Sequence, residues 1–409
     1  MSLAATRPNR AVLAALVLAA SMLTGCLVAP GDTRAARNME LAIQDDSLFV
    51  QGNKRWRGDK AFDYARSLGV TRIRVNLLWA YTMPKPQYNA RRKPAAINYD
   101  FTQIDQLIDR AAANGIRIHL SLTGPAPRWA NARRAGQTKA WYKPNSRQFG
   151  QFATVVAEHF RGRVDRYSIW NEPNWKTWLG PLSAAPAIYR SMYVRGYNAI
   201  KKADRRAQVL IGETSPYGRP GLSTSPLAFL RKVACVDRSY RRVRRCPKLK
   251  ADGYAHHPYD FRHSPSFQYP GSDNVTIGTL SRLTRALDRL RRSGALRSTR
   301  GGRMPLYLTE YGYFASGKRA LPPRTRSRYL KQAYSLALRN GRVKSQLQYL
   351  LLTLPRGSGS TFNTGLVTAR GKRLPQFNAL RSWYRGHRGR VKRPGRAFTL
   401  PAAAGNPTR

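Results

Sequence analysis

Five glutamates are present in the chain, Glu40, Glu158, Glu172, Glu213 and Glu310, against a background of 73 Lys and Arg and only 20 Asp and Glu. A chain this poor in acids offers few groups for carboxylate chemistry, so the setting of each one matters. Glu172 closes the run Ile169-Trp170-Asn171-Glu172-Pro173-Asn174, and Glu310 closes Leu306-Tyr307-Leu308-Thr309-Glu310-Tyr311-Gly312. Both follow short apolar stretches that read as buried strands. Two carboxyls in matched positions suit paired work, one as proton donor and the other as nucleophile or base.

The elements that must position them come in a regular order. Strand candidates are Met39–Ile43, Thr71–Trp79, Ile116–Leu122, Val164–Trp170, Gln208–Gly212, Gly253–His256, Leu306–Thr309 and Gln346–Leu354. Helices are expected over Asp59–Leu68, Phe101–Ala113, Ser146–Phe160, Ala184–Ala203, Pro226–Val233, Ile277–Arg292, Arg324–Arg339 and Gln376–Tyr384. In the second of these, Phe101, Ile104, Leu107, Ile108 and Ala111 recur at helical spacing. Eight strand–helix units in 409 residues predict an α/β fold, a (β/α)8 TIM barrel in a single domain. No glycine-rich loop follows the first strand, which speaks against a dinucleotide fold.

In such a barrel, chemistry sits where strands end. Strands four and seven stand three steps apart around eight, so their Cα atoms face one another at roughly 13 Å across the mouth. Side chains reaching inward about 4 Å each leave a gap of roughly 5 Å, near the carboxyl separation of about 5–5.5 Å in retaining glycosidases.

The Trp-Asn-Glu-Pro-Asn run after strand four and the Thr-Glu-Tyr-Gly run after strand seven resemble the retaining glycoside hydrolases of clan A, over most of the chain from Met39 to Tyr384. The resemblance implies Glu172 as acid/base and Glu310 as nucleophile. It implies Asn171 as a partner of the sugar 2-hydroxyl, Arg74 as the cation holding the nucleophile ionised, and His257 and Tyr259 around the same centre. A nearby guanidinium and phenol should hold the Glu310 pKa low. Trp79, Trp129, Trp175 and Trp178 are candidate sugar platforms, because C–H faces of sugars pack on indole. Clan members often carry a tryptophan at the end of strand eight; Gln346 to Leu354 contains none. Glu158 is expected on a solvated helix face; Glu213, which follows strand five, could help the site, but is expected as an ordinary structural acid. His256, His257, Asp260 and His263 match no zinc spacing, so neither metal nor cofactor is expected. Ser168 and Ser215 show no His/Asp partners for acyl transfer.

The formal net charge of +53 is spread along the whole chain. It is compatible with an acidic glycan, anionic lipid or nucleic acid, and no nucleic-acid motif makes the last a specific partner. At the start, Arg7 and Arg10 precede the apolar run Ala11 to Ala20, and Leu23-Thr24-Gly25-Cys26 resembles a bacterial lipobox. The expectation is a lipoprotein signal over 1–25, a linker over 26–38, a catalytic domain over 39–385 and a disordered basic tail over 386–409. Export would leave the protein lipid-anchored through Cys26 at the outer membrane face, or secreted. Cys235 and Cys246 then form an even pair that could close a disulfide loop. The competing expectation is a catalytically inactive lipoprotein that binds carbohydrate or polyanions. Salt sensitivity would separate polyanion binding from sugar stacking.

Overall fold

The computed structural model describes residues 35–52, 56, 59–132, 141–243, 246–353 and 362–409. Eight parallel strands close a barrel: β1 (Glu40–Gln44), β2 (Val70–Leu78), β3 (Arg117–Thr123), β4 (Arg166–Ile169), β5 (Gln208–Thr214), β6 (Gly253–His256), β7 (Leu306–Leu308) and β8 (Val343–Tyr349). β1 pairs with β2 on one side and with β8 on the other, Glu40 opposite Ser345 and Gln44 opposite Tyr349. The fold is a (β/α)8 barrel.

Helices follow the strands in turn: α1 (Lys60–Ser67), α2 (Thr102–Ala113), α3 (Ser146–His159), α4 (Ala185–Ala203), α5 (Pro226–Val233), α6 (Leu280–Arg292), α7 (Pro323–Arg339) and α8 (Pro375–Gly386). Each buries one stripe. In α6, Leu280, Leu283, Ala286, Leu287 and Leu290 are buried, while Arg285, Arg289, Arg291 and Arg292 share its other face and its last turn. The expected start at Ile277 is a short 3-10 turn, closed by reciprocal Thr276 and Thr279 hydrogen bonds, before the α-helix begins. Two short strands, Leu249–Ala251 and Leu296–Ser298, pair beneath the barrel.

Period-two alternation decides what enters the barrel. In β2, Ile73, Val75 and Leu77 join the main apolar core, while Arg72, Arg74 and Asn76 take the opposite face. Low in the barrel, Arg72 and Arg166 both pair with Glu40, at 3.1 and 2.5 Å. Leu210, Ala255 and Tyr307 form a small separate apolar cluster. A Cβ on Gly253 would lie 2.3 Å from the Tyr307 ring, so a larger residue there would displace this plug. Above it the polar residues of alternate positions converge.

Two sequence expectations are corrected here. β8 runs from Val343 to Tyr349, three residues earlier than expected, and Leu354 lies outside the described residues. The apolar run Leu350 to Leu352 instead turns away from the sheet, with Leu350 at φ 61°. Nor is the basic tail without structure. Residues 387–409 lie along the barrel, where Lys392 N bonds Met39 O, Phe398 N bonds Ala112 O, and Ile97 and Arg409 exchange backbone bonds. Side chains polar enough to read as disordered are held there mainly by main-chain groups that carry no sequence signature.

Cys235 and Cys246 form a disulfide across eleven residues, with Cα atoms 6.3 Å apart. Cys26 and the whole leader lie outside the described residues. Among the described residues, no helix is long and apolar enough to cross a membrane.

Candidate active site

β4 and β5 both end in strained backbone. Trp170, Glu172 and Glu213 have φ of 66°, 38° and 49°, a region costly for residues with a side chain. Glu172 N donates to Glu213 O at 2.9 Å, tying the two strand ends together. The distortion turns both carboxyls toward the barrel axis, where Glu310 arrives from the end of β7.

Arg74 is the hub. It is wholly buried, and its Nη1 donates to Glu310 Oε1 at 2.9 Å and to Gln44. Its Nη2 donates to Asn171 Oδ1 at 2.9 Å and to Glu213 Oε2 at 3.1 Å. His257 supplies the second cation. Its Nε2 meets Glu213 Oε2 at 2.8 Å, and its Nδ1 lies 3.0 Å from Glu172 Oε1 and 3.5 Å from Glu310 Oε2. Tyr259 donates to Glu310 Oε2 at 3.2 Å, and Thr309 to Glu213 Oε2 at 2.7 Å. One oxygen of Glu172, one of Glu310 and a ring nitrogen of His257 all lie within 4.8 Å of one another.

Burial works against every charge here, and partners decide the outcome. For His257, burial favours the neutral ring, but the Glu310 charge and the bonds to Glu172 and Glu213 lift its pKa to about 9. For Glu213, burial would raise the pKa, and Arg74 and His257 more than reverse it, so this carboxyl is held well below the usual range. Glu310 differs. Burial pushes its pKa up, and His257 and Arg74 offset that only in part while Glu172 opposes them. The expectation that a guanidinium and a phenol keep Glu310 low is therefore corrected: the site is too dry and too rich in carboxylates.

This electrostatic frame has a measurable signature. A raised folded-state pKa means that the His257 imidazolium stabilises the fold fully below its unfolded value of about 6.5, and that this contribution vanishes as pH climbs through about 9. Urea midpoints of the protein and of His257→Gln should differ most below pH 6.5 and converge by about pH 9–10. A gap that widens with rising pH would contradict the charge assignment.

A cavity of about 480 Å³ opens above this centre. Its walls include Asn171, Glu172, Glu310, Trp175, Trp178, Tyr217, Tyr259, Phe261, Tyr349 and Phe362. Trp175 and Trp178 thus stand where sugar platforms were expected. Trp79 and Trp129 do not. Trp79 is fully buried, stacked on Phe152 and edge-on to Phe149, and Trp129 packs edge-on against Trp79 while its Nε1 bonds Gln87 O. Trp79 is core, falling where β2 has already ended, and Trp129 packs half-buried against it. The aromatic at the end of β8 is Tyr349, which takes the place where the tryptophan was missed.

Glu213 is the largest omission of the sequence reading. It is no ordinary structural acid, since it holds both site cations at once. Its position directly after the expected strand Gln208–Gly212 was the available signal; in the structure it is the penultimate residue of β5. His119 was also missed: its Nε2 bonds Ser168 Oγ at 3.0 Å and lies 3.9 Å from Glu213 Oε1. A serine, histidine and acid thus do meet, but one ring nitrogen serves both neighbours, whereas a relay needs two. His256 bonds Thr214 and the Val275 carbonyl, and Asp260 pairs with His263, so the four residues weighed as a metal cluster divide between separate contacts. Glu158 is on an exposed face, paired with Arg409.

Comparison with known proteins agrees with the architecture. No family model matches the chain. It is 29% identical over 147 residues to Beta-glucosidase 47 of Arabidopsis thaliana, a match covering 35% of this chain and 26% of that enzyme. Among solved structures, a family 39 glycoside hydrolase from the gut symbiont Bacteroides cellulosilyticus WH2 aligns over 85% of this chain and 63% of its own, at 19% identity and a TM-score of 0.60. A monomeric beta-xylosidase from Caulobacter crescentus CB15 aligns over 85% and 69%, at 19% identity and 0.54. The virulence factor SghA, in complex with its substrate analog salicin, is matched over 96% of its length and 87% of this chain, at 13% identity and 0.53. The chain thus spans about a quarter of the β-glucosidase and under two thirds of the Bacteroides enzyme. What is shared is the barrel.

Proposed function

We propose that the chain is a retaining O-glycoside hydrolase that cleaves oligo- or polysaccharide by double displacement, with Glu172 as acid/base and Glu310 as nucleophile. The observation that carries this reading is the approach of the two carboxyls, oxygen to oxygen within 4.8 Å, at the floor of an aromatic cavity. That spacing lies at the retaining end; an inverting pair needs about 6.5–9.5 Å to admit a water between them.

Charge counting supports it. Glu172, Glu213 and Glu310 face two cations, Arg74 and His257, so one carboxyl proton balances the cluster. Glu213 is held ionised, leaving that proton to the Glu172–Glu310 pair. In the first step Glu310 attacks the anomeric carbon as the bond to the leaving oxygen breaks, and Glu172 gives its proton to that oxygen. The ester removes the Glu310 charge. Glu172 then takes a proton from water, water adds at the anomeric carbon, and the Glu310–carbon bond breaks. Asn171 has one oxygen held by Arg74, and its amide nitrogen, which has no acceptor among the described residues, serves the sugar 2-hydroxyl. Anomeric configuration followed by NMR during early turnover of an aryl glycoside should be retained. Initial product of inverted configuration would overturn the mechanism.

The same proposal places the protein outside the cytoplasm, anchored through Cys26, on the strength of the Leu-Thr-Gly-Cys run after a basic and apolar leader. The full chain expressed in a bacterium should incorporate labelled palmitate and partition into detergent. Cys26→Ala should lose the label entirely; label retained in that variant would refute the anchor.

A further inference from the structure

Two guanidinium groups line the cavity above the carboxyl pair, and neither has a carboxylate partner among the described residues. Arg219, on the loop after β5, lies over the Tyr217 ring at 5.0 Å and donates one bond to the Tyr217 hydroxyl at 3.2 Å. Arg319, on the loop after β7, lies over Phe314 at 4.1 Å and Phe261 at 5.9 Å. Arg219 is exposed and Arg319 half-buried, so both can reach a ligand that enters the cavity. Among the described residues, the acids lining the cavity are Glu172 and Glu310, committed to Arg74 and His257 below.

A guanidinium stacked on a ring has a face covered and keeps donors on its edge; Arg219 spends one of its N–H groups on the Tyr217 hydroxyl and retains the others. That edge presents parallel N–H groups which match the two oxygens of a carboxylate in one plane. The two arginines come from loops one strand apart around the barrel, one after β5, where Trp175 bridges Ser223 beside Arg219, the other after β7. We infer that the substrate is an acidic glycan, whose ring carboxylates are read by Arg219 and Arg319 while its C–H faces lie on Trp175 and Trp178. This rests on the hydrolase reading above and names its substrate class.

The test compares three oligosaccharides of equal length, a uronic-acid chain, a sulfated one and an uncharged one, by calorimetric binding to Glu310→Ala and by turnover on the intact enzyme. Arg219→Gln/Arg319→Gln should weaken uronide binding and lower the uronide-to-neutral ratio of kcat/KM by about 10- to 100-fold, the range of one or two charged hydrogen bonds. Arg285→Gln/Arg291→Gln removes the same charge from the exposed side of α6 and should leave that ratio unchanged. An equal loss in this control pair would assign the effect to the overall field and overturn the inference. So would tighter binding of the sulfated ligand than the uronide, or turnover with no preference for the acidic chain. Arginine-dependent uronide binding without turnover of any sugar would uphold the recognition site and sink the hydrolase reading instead.

Discussion

Replacing Glu310 by Ala is expected to lower kcat on an activated aryl glycoside by on the order of 10⁴-fold or more, with the barrel intact by circular dichroism. Without the carboxylate there is no covalent intermediate, and Glu213 is no ready substitute, being wholly buried with its Oε2 held by Arg74, His257 and Thr309. Stability should change little or rise, because the buried Glu310 carboxyl is already disfavoured by its surroundings. Glu172→Ala should behave differently. Loss of a general acid costs about 10²- to 10⁴-fold on substrates with poor leaving groups and far less where the leaving group departs unaided. Azide, small enough to fill the space left by a deleted carboxyl, should restore turnover in both variants, giving glycosyl azides of opposite anomeric configuration. Full activity in either alanine variant would refute the assignment.

The second large effect concerns a residue that need not touch substrate. Glu213→Ala should destabilise the fold by about 3–5 kcal/mol, since removing one member of a buried charged cluster leaves the others uncompensated. Arg74 and His257 would face Glu172 and Glu310 with no third carboxylate, and the imidazolium would lose its Nε2 acceptor. For a barrel of this size that corresponds to a fall in Tm of roughly 10 °C. The pH profile gives a readout that mere loss of packing would not. With Glu213 absent, His257 should lose its proton at lower pH, and the high-pH fall of activity should move toward neutrality. Glu213→Gln keeps the volume and should recover part of the stability while leaving the shifted profile. A stable Glu213→Ala protein with an unchanged pH profile would show that this acid is not what secures the two cations.

Much of this barrel is legible in the chain because its signals are local. Strand candidates such as Ile116–Leu122 and Gln208–Gly212 alternate with helices bearing clear apolar stripes, and the observed boundaries fall within three residues of the expected ones except at the end of β8. Glu172 and Glu310 could be singled out because each terminates an apolar run, and Asn171, Arg74, His257 and Tyr259 were expected from the resemblance that those motifs carry. The failures share a cause. Whether Trp79 faces the cavity or the core depends on where β2 turns, and Glu213 becomes a keystone only when three other strands bring Arg74, His257 and Thr309 to it. Tyr349 emerges only from the register of β8 against β1, which the run Leu350 to Leu352 disguises. Arg219 and Arg319 sit in loops, where their isolation from carboxylates is a fact of three dimensions. Among 73 basic residues, nothing in the sequence distinguishes them.

The central claim is that the Glu310 carboxylate bonds covalently to the sugar. Incubating the protein with a 2-fluoro glycoside bearing a good leaving group, then digesting it and reading peptide masses, examines that bond directly. The fluorine slows both steps, and the leaving group restores the first, so a single fluoroglycosyl label should accumulate on the peptide containing Leu308-Thr309-Glu310-Tyr311, with one equivalent of leaving group released. A label on any other residue, or continued turnover with no label at all, would contradict the account.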